Sequence, residues 1–538
     1  SEAATPAFTV QGLDESGYVY AIDCGTLTAG SHTLTFDGAA GNWLPDICAV
    51  GIYPTDPTEF LYPYQNEELS FEERAADLVS RMTLEEKCAQ LGHNAPAIPR
   101  LGVHEYYYWR EGAHGVVDQG KATSFPVSLS ISNSWDPEMY NREAEIISTE
   151  ARVKNNQYDL NYWSPTINMA RDPRWGRNNE TFGEDPYLTS QFGTAFVNGM
   201  QGDDEKYLKT ISTLKHFLAN NCEYERQTGS SEMDEQTLRD YYSKAFKTVV
   251  QDASPGAVMS SYNATTVTRN GEKLWDYLAQ PANGNILTDL LRSNWGFDGF
   301  VTGDCGAIGC LNGEAFKRSL FPDAEKLSDV PQSATVAKAI QAGNELDCGN
   351  VSTKYAMEAV ELGYLSEDEI ERALYRVFLQ RFKTGEFDNT DVYRNYTEEN
   401  DLETDENVAV ALEAAEKGIV MLQNTEDENG ETLLPLNNDG DLNIALIGEM
   451  ASQTYIGDYS GTPTKNVSPY DGLKQEFGED NVHFLGHAED DDVLFNIRSI
   501  TLILTDGSER AVDLSKPEEV SGSYRTGLSR RNFDSRIR

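Results

Sequence analysis

Positive charge is what this 538-residue chain has least of: 43 lysines and arginines stand against 88 aspartates and glutamates, a formal charge of −45. A field of that sign repels phosphate backbones and anionic bilayers. Nucleic acid and membrane surfaces are therefore not expected partners, and a neutral or cationic substrate fits better. Long apolar runs are missing too. No stretch nears the ~18 uncharged apolar residues of a membrane helix. The opening "SEAATPAFTV" has neither the basic region nor the apolar core of a signal peptide. The expectation is a soluble protein, cytoplasmic or secreted. Cysteine is sparse, and no CxxC pair occurs. Cys24, Cys48, Cys88, Cys222, Cys305, Cys310 and Cys348 are too dispersed for a zinc site or a stapled fold. No motif implies a metal or organic cofactor, and a homo-oligomer is left open.

What is present supports a large globular chain. Apolar residues make up 39% and aromatics 10%, and the length allows two to four domains at about 150 residues each. Residues 1–60 read as β-rich, because "YVYAIDCG" and "HTLTFDGAAGNW" alternate apolar and polar residues between Gly and Asp breaks. "FEERAADLVSRM" then spaces Phe71, Ala75, Leu78, Val79 and Met82 as a helix does. Thr83 and Glu86 form a capping-box pattern for the next helix, which stops at Gly92.

From Gly102 to about Phe387, short apolar runs alternate with amphipathic helices. "ISTLKHF", "GAVMSSYN" and "GFVTGD" are separated by "DEQTLRDYYSKAFKTVVQDA" and "NILTDLLRSNWG". Strand–helix alternation at this length predicts an α/β fold, a (β/α)8 TIM-type barrel over 61–390, with chemistry at the strands' C-terminal ends. Those ends carry Trp163, Lys215 with His216, Tyr262 with Asn263, and Asp304. Four functional-looking endings in succession predict an active-site face.

Residues 391–490 read as an acidic, solvated linker and a partial α/β sandwich domain. In it "VAVALEAAEKGIVMLQN" is helix running into strand and "LNIALIG" is a buried strand. Residues 491–538 read as a hairpin around an Asp-Gly turn and a basic tail, part of an inserted β module.

The densest polar stretch is "NMARDPRWGRNNETFGEDP", with three arginines, two glutamates, two aspartates and Trp175. Arginine forks suit sugar hydroxyls and clamp carboxylates. An ion-pair loop of purely structural purpose is the competing reading.

"INMARDPRWGRNNETFGEDP", "TLKHFLANN", "VMSSYNA", "WGFDGFVTGDCGA" and "AGNELDCG", in that order, resemble glycoside hydrolase family 3, the β-glucosidase and β-xylosidase family. The likeness covers about Leu61 to Gly486. It implies a barrel followed by an α/β sandwich and a retaining mechanism, with Asp304 as nucleophile. It also implies that Arg177, Lys215 and His216 bind the innermost sugar, with Tyr262 beside the nucleophile. "YYYWREGAHGV" is similar to the W-x-E-A-x-H-G-V stretch of xylosidase-like members, departing at one position. Glu111 then replaces the aspartate of glucosidase-like members, and its extra length crowds a hydroxymethyl group and favours a pentose. The Asp-Cys pair and "LDCG" are also similar to xylosidase-like members, a resemblance that implies a Cys305–Cys348 bridge, with two free buried thiols as the alternative. "KHFLANNCEYE" lacks the continuation of the N-acetylglucosaminidase branch.

The family's acid/base, a glutamate in a stretch like E-x-E-G-x-D-R, has no match. Glu476, Glu479 and Glu489 stand in other contexts, and none is assigned. A truncated chain, a rearranged domain or an acid from another chain are the three readings of that gap. The expected activity is exo-acting, retaining removal of β-linked xylose from an oligosaccharide or aryl glycoside. A β-glucosidase, or a carbohydrate-binding relic without turnover, is the alternative.

Overall fold

The computed structural model describes residues 62–388, 392–438 and 442–485, and the backbone of three further strands between 500 and 537. The predicted β-rich segment 1–60 and the acidic candidate Glu489 lie outside the described residues.

The chain packs as two units. The larger runs to Val420 and takes in the separate stretch Ile456–Thr464. It opens with the predicted helix Phe71–Ser80, capped by Ser70 and Glu73 in a reciprocal box. The second helix, Leu84–Ala89, is closed by the Thr83–Glu86 box read from sequence. Each box satisfies two backbone N–H groups that a bare helix start leaves open.

Strands β1 (Asn94–Ala95) and β2 (Tyr106–Tyr107) pair antiparallel. The next are β3 (Asn161–Tyr162), β4 (Ile211–Phe217), β5 (Ser230–Asp234), β6 (Ala257–Ser260), β7 (Ala264–Arg269), β8 (Glu272–Ala279), β9 (Phe300–Gly303) and β10 (Leu346–Asp347). Five of these make one parallel sheet in the order β10-β9-β6-β4-β3. Parallel bridges from Gly92 to Asp347 and from Arg110 to Tyr162 extend its two ends toward the N-terminal pair. The barrel departs here from eight regular parallel strands. The run between β1 and β2 carries Pro96, Pro99 and Gly102, which remove ladder donors and bend the chain. Tyr106, Tyr108, Ile211, Ala257, Phe300, Leu346 and Val377 fill one core cluster across the strands, and larger apolar layers pack the helices outside.

Strands β5, β7 and β8 form a separate three-stranded sheet inserted into the barrel sequence, which the apolar pattern did not reveal. The helix expected over 234–253 is broken into Glu235–Thr237, a wide turn at Leu238–Tyr242, and Lys244–Ala253. The wide turn sets Tyr241 and Tyr242 against the Arg171 guanidinium, at 5.1 and 5.6 Å.

The acidic connection is less solvated than its composition implies. Leu402 and Glu403 are buried, and Glu403 Oε1 accepts from Thr464 N–H at 2.5 Å. The helix Asp405–Gly418 forms as expected, but 419–422 forms no strand. A strand needs a paired neighbour, and Ile419 and Leu422 are exposed instead.

The smaller unit holds β11 (Ile444–Ile447) and β12 (Val482–Leu485), parallel and in register from Ile444↔Val482. The helix Pro469–Phe477 connects them, with Tyr470 packed on Phe484 at 5.3 Å. The predicted hairpin is present as β13 (Ile500–Leu504) and β14 (Glu509–Val512), with β15 (Ser535–Ile537) on the other edge of β13. Among the described residues no helix is long and apolar enough to cross a membrane.

Candidate active site

The C-terminal ends of the parallel strands converge on one buried carboxylate. Asp304 follows β9 directly, and its N–H donates to Ser260 O at 3.0 Å, continuing the parallel ladder by one residue. Oδ1 accepts the N–H of Cys305 at 2.7 Å. Oδ2 is buried and has no hydrogen-bond partner among the described residues. Burial pushes the carboxyl above the ordinary aspartate range, while the Cys305 N–H and the charges of Arg177, Lys215 and Arg226 pull it back.

The other predicted residues gather around it. Lys215, on β4, donates from Nζ to Glu111 Oε2 at 2.8 Å, and both side chains are buried. Burial raises the Glu111 carboxyl against the pull of that ammonium. The indole N–H of Trp109 donates to Glu111 Oε1 at 3.2 Å, and Trp109 stacks on Trp163 with centroids 5.6 Å apart.

His216 is fully buried, and its Nε2 lies 3.7 Å from Asp304 Oδ2. Asn168 holds it twice. Asn168 Oδ1 accepts the His216 backbone N–H at 2.7 Å and faces Nδ1 at 3.3 Å. That acceptor assigns the ring proton to Nδ1. Desolvation, with Arg177, Lys215 and Arg226 nearby, pushes the imidazolium pKa far down, so the ring is neutral.

Arg177 makes a two-pronged contact with Glu180, at 2.6 and 2.7 Å. Burial works against the Glu180 carboxylate, but the fork leaves it below the ordinary range. Tyr262 follows β6 and donates its hydroxyl to Cys305 O at 2.6 Å. The structure thus brings Asp304, Glu111, Arg177, Lys215, His216 and Tyr262 into one neighbourhood. Cys305 and Cys348 are bridged, with Cα atoms 4.4 Å apart. Under the site the bridge packs with Trp163 and Met259.

Sequence reasoning missed four members. Glu180 and Asn168 lie within the quoted polar stretch but carry no signal separating holders from the held. Arg226 stands 4.6 Å over the Tyr262 ring and pairs with Glu223 at 2.8 Å. Its loop has no apolar period to mark it.

The fourth is Tyr459, whose ring lies 4.6 Å from Lys215 Nζ. It sits in the stretch Ile456–Thr464, which packs as a strap on the barrel. There His114 Nε2 meets Asp458 O at 2.6 Å and Ser124 Oγ meets Ser460 Oγ at 2.6 Å. A Cβ on Gly461 would stand 2.5 Å from Val116 O, so only glycine lets the strap lie this close. Nothing in the pattern of "GDYSGTP" marks it, and only its contacts reveal it.

Among the described residues no cluster of His, Cys, Asp or Glu is arranged to hold a metal ion. An unbonded carboxylate oxygen, ringed by three cations, a neutral imidazole and carboxylates of their own, is arranged to engage an uncharged polyhydroxylated ligand. The cations favour the ionised form of Asp304, while the paired carboxylates keep acceptors for hydroxyl groups.

Residues 107–379 match the family model for the glycosyl hydrolase family 3 N terminal domain, and 419–522 the C-terminal domain of the same family. A xylan 1,4-beta-xylosidase of Xylanibacter ruminicola is 37% identical over 435 residues, covering 77% of this chain and 47% of that protein. The solved GH3 exo-beta-xylosidase XlnD, bound to a xylobiose aziridine probe, superposes with TM-score 0.70 at 32% identity, covering 79% of this chain and 54% of that one. A beta-glucosidase of Streptomyces venezuelae bound to D-glucose gives TM-score 0.60 at 27% identity, over 77% and 50%. The chain spans about half the length of the curated relatives it matches.

Proposed function

The chain belongs to glycosyl hydrolase family 3, and from that premise we propose that its barrel face removes β-linked xylose from non-reducing ends with retention of configuration. Asp304 is the nucleophile in this reading. Its free Oδ2, at the end of β9 and under the charges of Arg177, Lys215 and Arg226, is the observation that carries it. Attack on the anomeric carbon forms a glycosyl ester that water then hydrolyses. His216 and Asp304 Oδ2 face each other as two acceptors, a gap suited to a substrate hydroxyl that donates. Arg177, Lys215 and Glu111 hold the remaining hydroxyls. The length of the Glu111 side chain, held by the Trp109 indole N–H, supports a pentose over a hexose, and a β-glucosidase is the second reading.

A retaining enzyme also needs a proton donor about 5–5.5 Å from the nucleophile. Of the carboxylates beside the site, Glu180 is held by Arg177 and Glu223 by Arg226. Glu479 of the smaller unit is paired with Lys474 at 2.6 Å. None is assigned as the acid. Acid assistance is typically worth about 10²–10⁴-fold, and most for leaving groups of high pKa.

The test is a leaving-group series of dinitrophenyl and nitrophenyl β-xylosides and xylobiose, with matched glucosides and Asp304→Ala. Steep dependence on leaving group, faster xylosides and loss of turnover in Asp304→Ala are expected. No turnover of either sugar overturns the enzymatic reading in favour of a sugar-binding one.

A further inference from the structure

We propose that the Cys305–Cys348 disulfide is a positioning element for Asp304 and Tyr262, and that its reduction slows the chemical step far more than it weakens sugar binding. The inference rests on Asp304 being the nucleophile.

Strands β9 and β10 are parallel neighbours with Thr302 opposite Leu346 and Gly303 opposite Asp347. The disulfide joins residues just beyond that ladder, Cys305 on one side and Cys348 on the other. Both backbone polar groups of Cys305 face the site. Its N–H is given to Asp304 Oδ1 at 2.7 Å, and its carbonyl accepts the Tyr262 hydroxyl at 2.6 Å. One residue therefore orients the reacting carboxylate and the phenol beside it.

The other end of the bridge is anchored. Cys348 O accepts the N–H of Gly306 at 2.7 Å. Asp347 Oδ2 accepts from the N–H groups of Val351 and Ser352, both at 3.0 Å, at the start of the helix Val351–Glu361. A continuous path runs from that helix through Asp347, Cys348 and the sulfur–sulfur bond to Cys305 and the nucleophile. Apart from the gap that Asp304 shares with His216, the groups proposed to hold the sugar lie elsewhere: Lys215 on β4, Arg177 on its own loop and Glu111 beyond β2. Cutting the bridge frees the nucleophile's peptide without touching them.

Cys305 is part exposed and Cys348 is buried, so a reductant meets Cys305 first. One thiolate of a dithiol attacks Cys305 Sγ and expels the Cys348 thiolate. The second thiol then closes on the mixed disulfide and releases Cys305. The dithiol is oxidised to its cyclic disulfide, and its two protons end on the two cysteines.

The test is trapping by 2,4-dinitrophenyl 2-deoxy-2-fluoro-β-xyloside, followed by dinitrophenolate release and peptide mapping. It is run on the oxidised protein, on protein reduced with dithiothreitol, and on Cys305→Ala/Cys348→Ala. Affinity for a neutral xylose-configured imino sugar analogue and the melting temperature are measured alongside. The trapping rate should fall about 10–100-fold, as expected for a misplaced reacting group. Inhibitor affinity should stay within about threefold, a smaller change than loss of one good hydrogen bond, and reoxidation should restore the rate.

Trapping at the oxidised rate in both reduced protein and variant, with only the melting temperature lowered, overturns the proposal and leaves a staple. Where the double variant does not fold, reduction and reoxidation of the folded protein decide the matter. An oxidised protein that fails to trap, or labels away from Asp304, removes the nucleophile assignment and this inference with it. That result is distinct from normal trapping indifferent to reduction.

Discussion

Nε2 of His216 faces Oδ2 of Asp304 across 3.7 Å, and with the ring proton on Nδ1 both atoms are acceptors. Two acceptors that close repel unless a donor sits between them, so the pair is arranged for a ligand hydroxyl rather than for each other. The imidazole is neutral because it is buried among cations. Its protonation should leave no limb near neutral pH in the kcat/KM profile of an activated aryl xyloside. Asn168→Ala, which removes the acceptor fixing Nδ1–H, should lower kcat/KM by about 10-fold, the value of a well-made hydrogen bond. A limb near the ordinary histidine value in the parent protein would count against this account.

With Asp304 as the proposed nucleophile, the acid limb of that profile is assigned to it. A carboxylate in that role must be ionised to attack, and burial has raised its carboxyl above the ordinary aspartate value. Activity should therefore fall, as pH drops, through a value higher than an exposed aspartate shows. Arg226→Met removes a charge that favours the ionised form and should move the limb to still higher pH. A limb that moves down or stays put speaks against Arg226 acting on Asp304.

Lys215 and Glu111 are a buried pair. Removing one partner leaves the other charge unpaired in a low-dielectric site, at a cost of about 3–5 kcal/mol. Glu111→Ala should lower the barrel's urea midpoint by a corresponding amount. The double change Lys215→Met/Glu111→Ala should recover part of it. Strict additivity of the two single changes would show that they do not interact.

Tyr459 reaches Lys215 only through the strap. Tyr459→Ala should weaken binding of a xylose-configured inhibitor by about 10-fold, in line with about 1 kcal/mol or more for a cation over an aromatic face. Tyr459→Phe should bind nearly as the parent does. Gly461→Ala, whose Cβ would meet Val116 O at 2.5 Å and Ala122 Cβ at 2.7 Å, should reproduce the affinity loss from a distance. Calorimetric titration of the three variants checks the order.

Glu143 is fully buried in the helix Pro137–Asn155 with neither carboxylate oxygen hydrogen-bonded among the described residues. Burial raises its carboxyl well above the ordinary value. A folded-state pKa above the unfolded one means that stability is fullest below the unfolded value, near pH 4.5, and is lost as pH rises toward the folded one. Glu143→Gln should flatten that decline, and Glu143→Met should stabilise the protein at neutral pH. Urea titrations at pH 5 and pH 8 that show no difference between parent and variants would refute this.

Much of this was legible because strand ends and helix starts leave local marks. The Thr83–Glu86 box and the apolar runs closing on His216, Tyr262 and Asp304 each sit within a few residues of what they specify. The inserted sheet β5-β7-β8 was not legible: "SSEMD" and "ATTVTR" lack the apolar alternation that a half-buried strand shows, and their register is set by partners. The expected strand at 419–422 failed for the opposite reason. "IVML" has the residues for a strand, but propensity forms no ladder without a neighbour. Glu180, Arg226 and Tyr459 escaped notice because each is fixed by a contact rather than by a period.

The strap carries a lesson for anyone recombining relatives of this chain. Ile456–Thr464 falls inside the stretch 419–522 that reads as the second module, yet it packs with the first. Exchanging second modules at the linker would therefore transplant Tyr459 and its loop into a foreign barrel mouth. The ring facing Lys215 would travel with the segment conventionally regarded as the passenger. The seam that keeps a pocket whole runs on either side of Ile456–Thr464, not through the acidic connection.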